Sequence, residues 1–455
     1  MSAEKPPLAF QGDVPYWGGP PVELSRKRSK LGKAAWFAGT GLGALSLVGG
    51  ELRWAMDNKG TVANLSREII GYENTQWIEK QYLAFNDYKT RKLYQFGLGP
   101  DEQPFDTPIS IVKTSSVEDN EPSPTHIPPL TTGATEMVIA ESFPLQETQP
   151  KKIRPFVLPD THILLPNPLP GEGSWSIDGL PTTEDELTMA KTFIRLDSSR
   201  PYANVAVIVF DSRRVNLNMV GGAFDRRNGG DKGPGKVPSQ DLSNLLVVMN
   251  GGFQFDHARQ NFNTSAPFVW GAYLDGVEYA TLQPGMGTVA TFKDGTVKIG
   301  VWGEGDLSQR TDDMVSVRQN GKLMIQDGEL TEAIKNEGDV FTWGKLTKDS
   351  SGAFETTRSA IGMTKDGNLL IAAANNMTAF NFARGLQAAG AYKALQLDIN
   401  QDWVQVGVVT DHKEDGTPIL STFKNGINNG NKFLSPQARD LIYITRSDDS
   451  RYIPD

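Results

Sequence analysis

Four Asp-Gly or Asn-Gly pairs, each set between short apolar runs, constrain this chain more than any other feature: "YLDGVEY", "FKDGTVKIG", "RQNGKLMI" and "TKDGNLLIA". Such pairs tolerate the positive φ of a two-residue hairpin turn, so four hairpins and a largely antiparallel sheet are expected. Strand-type runs join them: "NVAVIVFD" (204–211), "LLVVMN" (245–250), "YKALQLD" (392–398) and "WVQVGVV" (403–409). One helix is legible beside them. Thr378 is an N-cap, Ala379, Phe382, Ala383 and Leu386 share a face, and Gly390 can close the last turn. The reading is a mixed α+β domain over residues 174–446, followed by a tail over 447–455.

The first part of the chain has another texture. Residues 1–33 are a basic segment; residues 1–50 carry six Lys or Arg against three acidic groups, which is +3, so the remainder of a chain of net charge -9 carries -12. "AAWFAGTGLGALSLVGG" (34–50) then runs 17 residues without a charge. That is the short limit for a membrane span at about 1.5 Å of rise per residue. Three readings stay open: a signal anchor with the basic end in the cytoplasm, a cleaved signal peptide, or a buried soluble helix. The first two put the C-terminal domain outside the cytoplasm, as a single-pass membrane or secreted protein. Residues 51–99 form a juxtamembrane segment whose part from about Ser66 to Gln95 has helical apolar spacing and no proline. Residues 100–173 read as a Pro-rich linker, because 15 of the 28 prolines fall between Pro100 and Pro181 and proline cannot donate to a ladder.

Composition narrows the chemistry. The acidic balance and the lack of a basic stretch in the C-terminal part argue against nucleic acid as a partner. The absence of cysteine excludes disulfides and thiolate chemistry, and four scattered His make a His-rich metal centre a poor fit.

Three polar points stand at element ends. Asn250 follows "LLVVM" and leads into Gly251 and Gly252; Arg358 precedes "SAIGM"; Asp398 follows "ALQL". Loops at strand ends are where sites are built. The glycines allow a sharp turn or close ligand approach, and Asn250 offers both a donor and an acceptor, though "NGG" also reads as a plain turn. Arg358 suits a phosphate through its planar fork, or a surface ion pair. Asp398 is an acid, a base, a cation ligand or a turn residue.

The succession "VVMNGGF", "GAYLDGVEY", "GMGTVATFKDGTVKIGVW", "TRSAIGMTKDGNLLIAA", "MTAFNFARGLQAAGAYKALQLD" and "ARDLIYI" resembles the phosphodiester glycosidase family. This is the domain of N-acetylglucosamine-1-phosphodiester α-N-acetylglucosaminidase and of many bacterial exopolysaccharide-biosynthesis proteins. The likeness spans about Val205 to Ile444. It implies hydrolysis of the bond between an anomeric carbon and a phosphate, with a glycan or sugar phosphate as partner. By it, Asn250, Gly251, Gly252, Arg358 and Asp398 map onto the family's Asn-Gly-Gly-Phe, Arg-x-Ala-Ile-Gly and Leu-Asp-Gly-Gly motifs. Arg358 would hold the phosphate and Asp398 would be the carboxylate. Asn250 and the glycine N–H groups would orient oxygens, with Asp256 or Asp402 as second carboxylate, His257 as proton carrier and Thr378 as a further substrate contact. No organic cofactor is implied; a divalent cation on Asp398 and Asp402 would be an addition with no motif behind it.

Departures from the family pattern fall in one loop. "LDINQDWVQV" places Ile399 and Asn400 where the family has two glycines, and Gln254 replaces the second Phe after Asn-Gly-Gly-Phe. The leading expectation is an extracytoplasmic phosphodiester glycosidase of an envelope or secreted glycan. The competing one is an inactive glycan-binding or scaffold protein that keeps the fold. An enzyme on this plan needs Arg358 and Asp398 to face one cleft with Asn250.

Overall fold

The computed structural model describes residues 72–106, 112, 156–183, 187–223, 233–255, 270–336, 343–344 and 354–447. The uncharged run 34–50 and the candidates Asp256 and His257 lie outside them. The chain divides into two compact units, Met1–Glu79 and Lys80–Asp455, and the sheets belong to the second.

In chain order the first strands are β1 (Met189–Arg195), β2 (Asn204–Phe210), β3 (Val215–Val220), β4 (Leu245–Asn250), β5 (Ala272–Leu274), β6 (Val277–Ala280), β7 (Gly287–Phe292) and β8 (Val297–Val301). They are followed by β9 (Met314–Gln319), β10 (Leu323–Gln326), β11 (Glu329–Leu330), β12 (Thr356–Met363), β13 (Leu369–Met377), β14 (Lys393–Ile399), β15 (Val406–His412), β16 (Pro418–Thr422) and β17 (Leu441–Arg446). The α-helices are α1 (Tyr72–Gln95), α2 (Glu332–Asn336) and α3 (Ala379–Ala388). Three sheets result, ordered β1-β2-β13-β12-β14-β10-β11, β16-β15-β4-β17-β3 and β6-β5-β9-β7-β8. Neighbours such as β12 and β14, β4 and β17, and β7 and β9 all run antiparallel. The fold is sheet-rich α+β.

Continuous apolar runs mark strands buried on both faces. In β2, Ala206, Ile208 and Phe210 point into one core, while Val205, Val207 and Val209 point into another. The first core is shared with Val247 and Met249 of β4 and Ile442 and Ile444 of β17; the second takes Phe382, Ala383 and Leu386 of α3. Each fully buried side chain of this size contributes about 1.5–3 kcal/mol, which fixes the register of the seven-stranded sheet.

Three of the four turn pairs close hairpins. Asp275 and Gly276 have φ of 50° and 76° between β5 and β6, as a two-residue turn requires. Gly295 serves β7 and β8, and Gly367 serves β12 and β13. The fourth expectation is corrected. Gly321 does take positive φ, 82°, but β9 and β10 lie in different sheets. The Asn320 side chain accounts for this: it accepts from Phe253 N at 2.8 Å and donates to the Gln396 carbonyl at 2.6 Å, pinning the chain where it crosses between sheets.

Thr378 caps α3 by accepting from Asn381 N, and Gly390 follows the helix at φ 86°. The proline-rich stretch, where described, has neither helix nor ladder, yet it packs. His162 N donates to the Ala388 carbonyl at 2.7 Å, Trp175 Nε1 donates to the Pro159 carbonyl at 2.8 Å, and Leu158 joins the second core. Proline removes donors without preventing apolar contact, so composition forecasts the irregular backbone and not the docking.

Candidate active site

The Asn-Gly-Gly turn leaves β4 beside the start of β17, where Asn250 pairs with Leu441. The residue ahead of Leu441, Asp440, is buried and ion-paired at 2.9 Å with Arg318 of β9, itself fully buried. Arg318 lies 4.7 Å from the Phe255 ring and donates to the Phe253 carbonyl. This pair explains the glycines. A Cβ on Gly251 would overlap the Asp440 carboxylate, and one on Gly252 would stand 2.7 Å from Arg318 Nη2 and 2.8 Å from Asn320 Oδ1. Gly251 N donates to the Asp440 carbonyl at 3.0 Å and Gly252 N to its carboxylate at 3.2 Å. Both amide donors are thus spent on Asp440 rather than on the substrate oxygens that the family resemblance implies.

Asn250 is similarly committed. Its Nδ2 donates to the Gly251 carbonyl at 2.9 Å and to Ser359 Oγ at 2.8 Å, and its Oδ1 accepts from Gln405 N at 3.1 Å. It is a positioning residue that ties β4, β12 and the start of β15 together.

A bulge aims Asp398. Arg358 of β12 faces Ile399 and Ala360 faces Gln396, so Leu397 and Asp398 together oppose Ser359. Ser359 Oγ donates to the Asp398 carbonyl at 2.8 Å, and Asp398 N donates to the Gly251 carbonyl at 3.1 Å. Asp398 Oδ1 accepts from Ile399 N at 2.8 Å, while Oδ2 is ion-paired with Arg439 Nη1. The Arg439 guanidinium stacks 3.6 Å from the Trp403 ring centroid. Lys432 Nζ lies 5.6 Å from the same ring and donates to the Asp402 carbonyl at 3.4 Å.

Asp398, Arg439, Trp403 and Lys432 line a cavity of about 50 Å³ with the Asn-Gly-Gly turn and Asp440. Its volume suits a few waters and is well below the ~300 Å³ where small-molecule pockets begin, so only a small polar group fits inside. Burial raises the Asp398 carboxyl above its ordinary range; Arg439 opposes this and the Asp440 charge adds to it. Burial, and then Arg439, lower Lys432 to about 8, with Asp398 and Asp402 opposing. A larger cavity of about 410 Å³ lies against β8 and β10. Its Lys298 and Asp306 pair with each other at 2.8 Å, and it contains neither Asp398 nor Arg439.

Arg358 is not brought to this cleft. Fully buried, it donates to the carbonyls of Met377 (2.8 Å), Trp343 (3.3 Å) and Phe354 (3.0 Å) and to Gln396 Oε1 (2.8 Å). Those partners absorb its fork, and Arg358 does not line the cavity that holds Asp398. Thr378 spends its hydroxyl on capping α3. Asp402 is exposed, its carbonyl accepting from Lys432 and Gln405. No group of three or more His, Asp or Glu able to hold a metal occurs among the described residues.

The loop departures have local explanations. Asn400 has φ 76°, the left-handed backbone that a glycine would take, and its Oδ1 accepts from Thr356 Oγ1 at 2.8 Å. Ile399 packs in an apolar cluster with Phe253 and Trp270. Arg439, Asp440, Lys432, Trp403, Arg318 and Asn320 do not stand out in the sequence as site residues. A signal for two of them is present: "RD" immediately before the apolar strand "LIYI" places charges at a strand end.

Fold and cleft together make a sheet-rich α+β domain with a buried carboxyl and two cations at a strand-end turn. Residues 243–398 match the model of the phosphodiester glycosidase family (NAGPA), which bears out the resemblance seen in the motifs. The matched stretch includes Asn250, Arg318 and Asp398 and ends before Trp403, Lys432 and Arg439. Among solved structures, the catalytic domain of zebrafish N-acetylglucosamine-1-phosphodiester alpha-N-acetylglucosaminidase, auto-inhibited by pro-peptide, is similar at 16% identity and a TM-score of 0.37, over 58% of this chain and 86% of that chain. A hypothetical protein from Synechocystis is similar at 13% identity and a TM-score of 0.29, over 57% of this chain and 62% of that chain. No curated protein matches.

Proposed function

We propose that this protein hydrolyses a sugar-1-phosphate diester of an envelope or secreted glycan, outside the cytoplasm, with residues 34–50 as its membrane signal. One observation carries the catalytic reading: a buried carboxyl, Asp398, shares a cleft with two cations, Arg439 and Lys432, at the Asn-Gly-Gly turn, which lies within the matched stretch. Of the cleft's charges, Asp440 is matched by Arg318 and Asp398 by Arg439, while Lys432 has no ion-pair partner among the described residues. A phosphodiester anion fits that balance. Arg439 and Lys432 hold it, in the role that the resemblance alone would assign to Arg358. The sugar lies at the mouth, since the cavity admits only a small polar group. Asp398 is the carboxyl of the reaction and Asn250 positions it through Ser359.

A binding protein without turnover is the second reading. It is favoured by Arg358, which an enzyme on the family plan needs in the cleft and which does not line it, and by Ile399, whose side chain packs with Phe253 and Trp270 where the family has a glycine. Release of free sugar from N-acetylglucosamine-1-phosphodiesters by the full chain, across pH and with and without divalent cations, decides between them. Turnover that falls at least 100-fold in both Arg439→Gln and Asp398→Asn is expected. Binding with no release transfers the assignment to the binding protein.

A further inference from the structure

The Asp398 carboxylate and the incoming phosphate want the same guanidinium. Oδ1 of Asp398 is served by Ile399 N, but Oδ2 has Arg439 as its ion-pair partner, and Arg439 is the cation that the cleft presents to an anion. Lys432, the other cation, makes no ion pair among the described residues; it donates to the Asp402 carbonyl and lies over the Trp403 and Phe433 rings. We infer that an anion entering this cleft takes Arg439 away from Asp398, and that Asp398 then takes up a proton from solvent and becomes a hydrogen-bond donor to the bound phosphate. The inference rests on the phosphodiester reading and assigns Asp398 the acid role within it.

The physical case is one of unequal alternatives. Once Arg439 turns to the anion, Asp398 Oδ2, itself buried, would face a second negative charge. Two anions in contact at a buried site do not both stay ionised unless something else neutralises one of them. The groups around Asp398 do not supply that. Asp440 is anionic and adds to the repulsion, although Arg318 offsets most of its charge; Asp402 is acidic; Lys432 is drawn to the anion itself. Burial already favours the neutral acid before any ligand arrives. The exchange also needs little motion. Trp403 stacks on the guanidinium and gives it a flat surface on which to turn from one oxygen to the other. The balance is simple: one Arg–carboxylate bond breaks, one Arg–phosphate bond forms, and one proton moves from solvent to Asp398.

Dimethyl phosphate is the suitable probe, because a diester anion does not itself titrate near neutrality. Its binding to the full chain, measured calorimetrically in pairs of buffers of different ionisation enthalpy between pH 5 and 7, reports the protons taken up. Lys432, at about 8, is already charged in that range and adds little. Uptake approaching about one proton per anion is expected at some pH in the range, and none in Asp398→Asn. Binding without uptake at any pH overturns the exchange and leaves the phosphodiester site standing. Absence of binding overturns both. Should Asp398→Asn fail to fold, the wild-type measurement still decides: uptake supports the exchange and its absence ends it.

Discussion

A Cβ at position 251 would overlap the Asp440 carboxylate, whereas one at Gly367, in the hairpin between β12 and β13, would meet nothing within 4 Å. The two glycines therefore answer different demands, close approach in one case and a left-handed backbone (φ 80°) in the other. Gly367→Ala should cost about 1–2 kcal/mol from backbone strain alone. Gly251→Ala should cost more, about 2–4 kcal/mol, since it pushes apart a buried ion pair that has no solvent to fall back on. Denaturant titration of the two variants checks the order, and an equal or smaller loss at 251 would break the argument. The need for glycine at 251 was legible in the sequence; its cause was not. Arg318 and Asp440 stand 122 positions apart, and nothing local in "VSVRQN" or "ARDLI" shows that the two charges meet under the turn. Arg358 shows the reverse. Its position after "TT" and before "SAIG" was plain, but the three carbonyls and the Gln396 amide that absorb its donors come from other strands and loops.

Elements were more readable than their attachments. The run 245–250 became β4 residue for residue, and "NVAVIVFD" became β2, because a two-sided apolar run has few other fates. The helix expected to end at Gln95 also appeared, as α1, yet its periodicity says nothing about how it is held. Its docked side is polar: Arg200 donates through Nε and Nη2 to the two carboxylate oxygens of Asp87, each at 2.8 Å, and the Tyr94 and Tyr202 rings lie 5.1 Å apart. Tyr82, Phe85 and Tyr88 point outward instead. A two-pronged, partly buried bond of this kind is worth about 1.5–3 kcal/mol. Arg200→Ala should accordingly raise amide exchange across residues 83–94 by roughly tenfold or more while β2 and β13 stay protected. Exchange that rises equally in the sheet would mean that Arg200, which also pairs with Asp197 and Glu355, supports the core rather than the helix.

At the scale of the whole molecule the site exists only because three sheets converge: β4 and β17 from one, β12 and β14 from another, β9 from the third. Pairing period and turn type announce antiparallel strands, but they carry no information about which hairpin joins which sheet, and this is why the Asn320-Gly321 crossing has the local signature of a hairpin. Convergence also leaves charges inside. Lys424, between β16 and the next turn, is fully buried, and burial alone lowers it to about 7 from an ordinary 10.5. In the unfolded chain it regains the ordinary value. Between about pH 7 and 10.5 the unfolded state therefore binds more protons than the folded one, so stability rises with pH through that window. Below pH 7 both states carry the proton and the full cost of burying an ammonium is present. Lys191 and Lys432, each lowered to about 8, push the same way over a narrower range, so the curve of the wild type alone cannot single out Lys424. The difference between wild type and Lys424→Met can. Methionine keeps the apolar stem and removes the charge, so the variant should be more stable at pH 6 by an amount on the order of 2–4 kcal/mol. The two denaturation curves should approach each other as the pH climbs to 10. A gap that stays constant with pH would show that packing, not protonation, separates the two proteins, and that Lys424 finds a partner for its charge in the folded state.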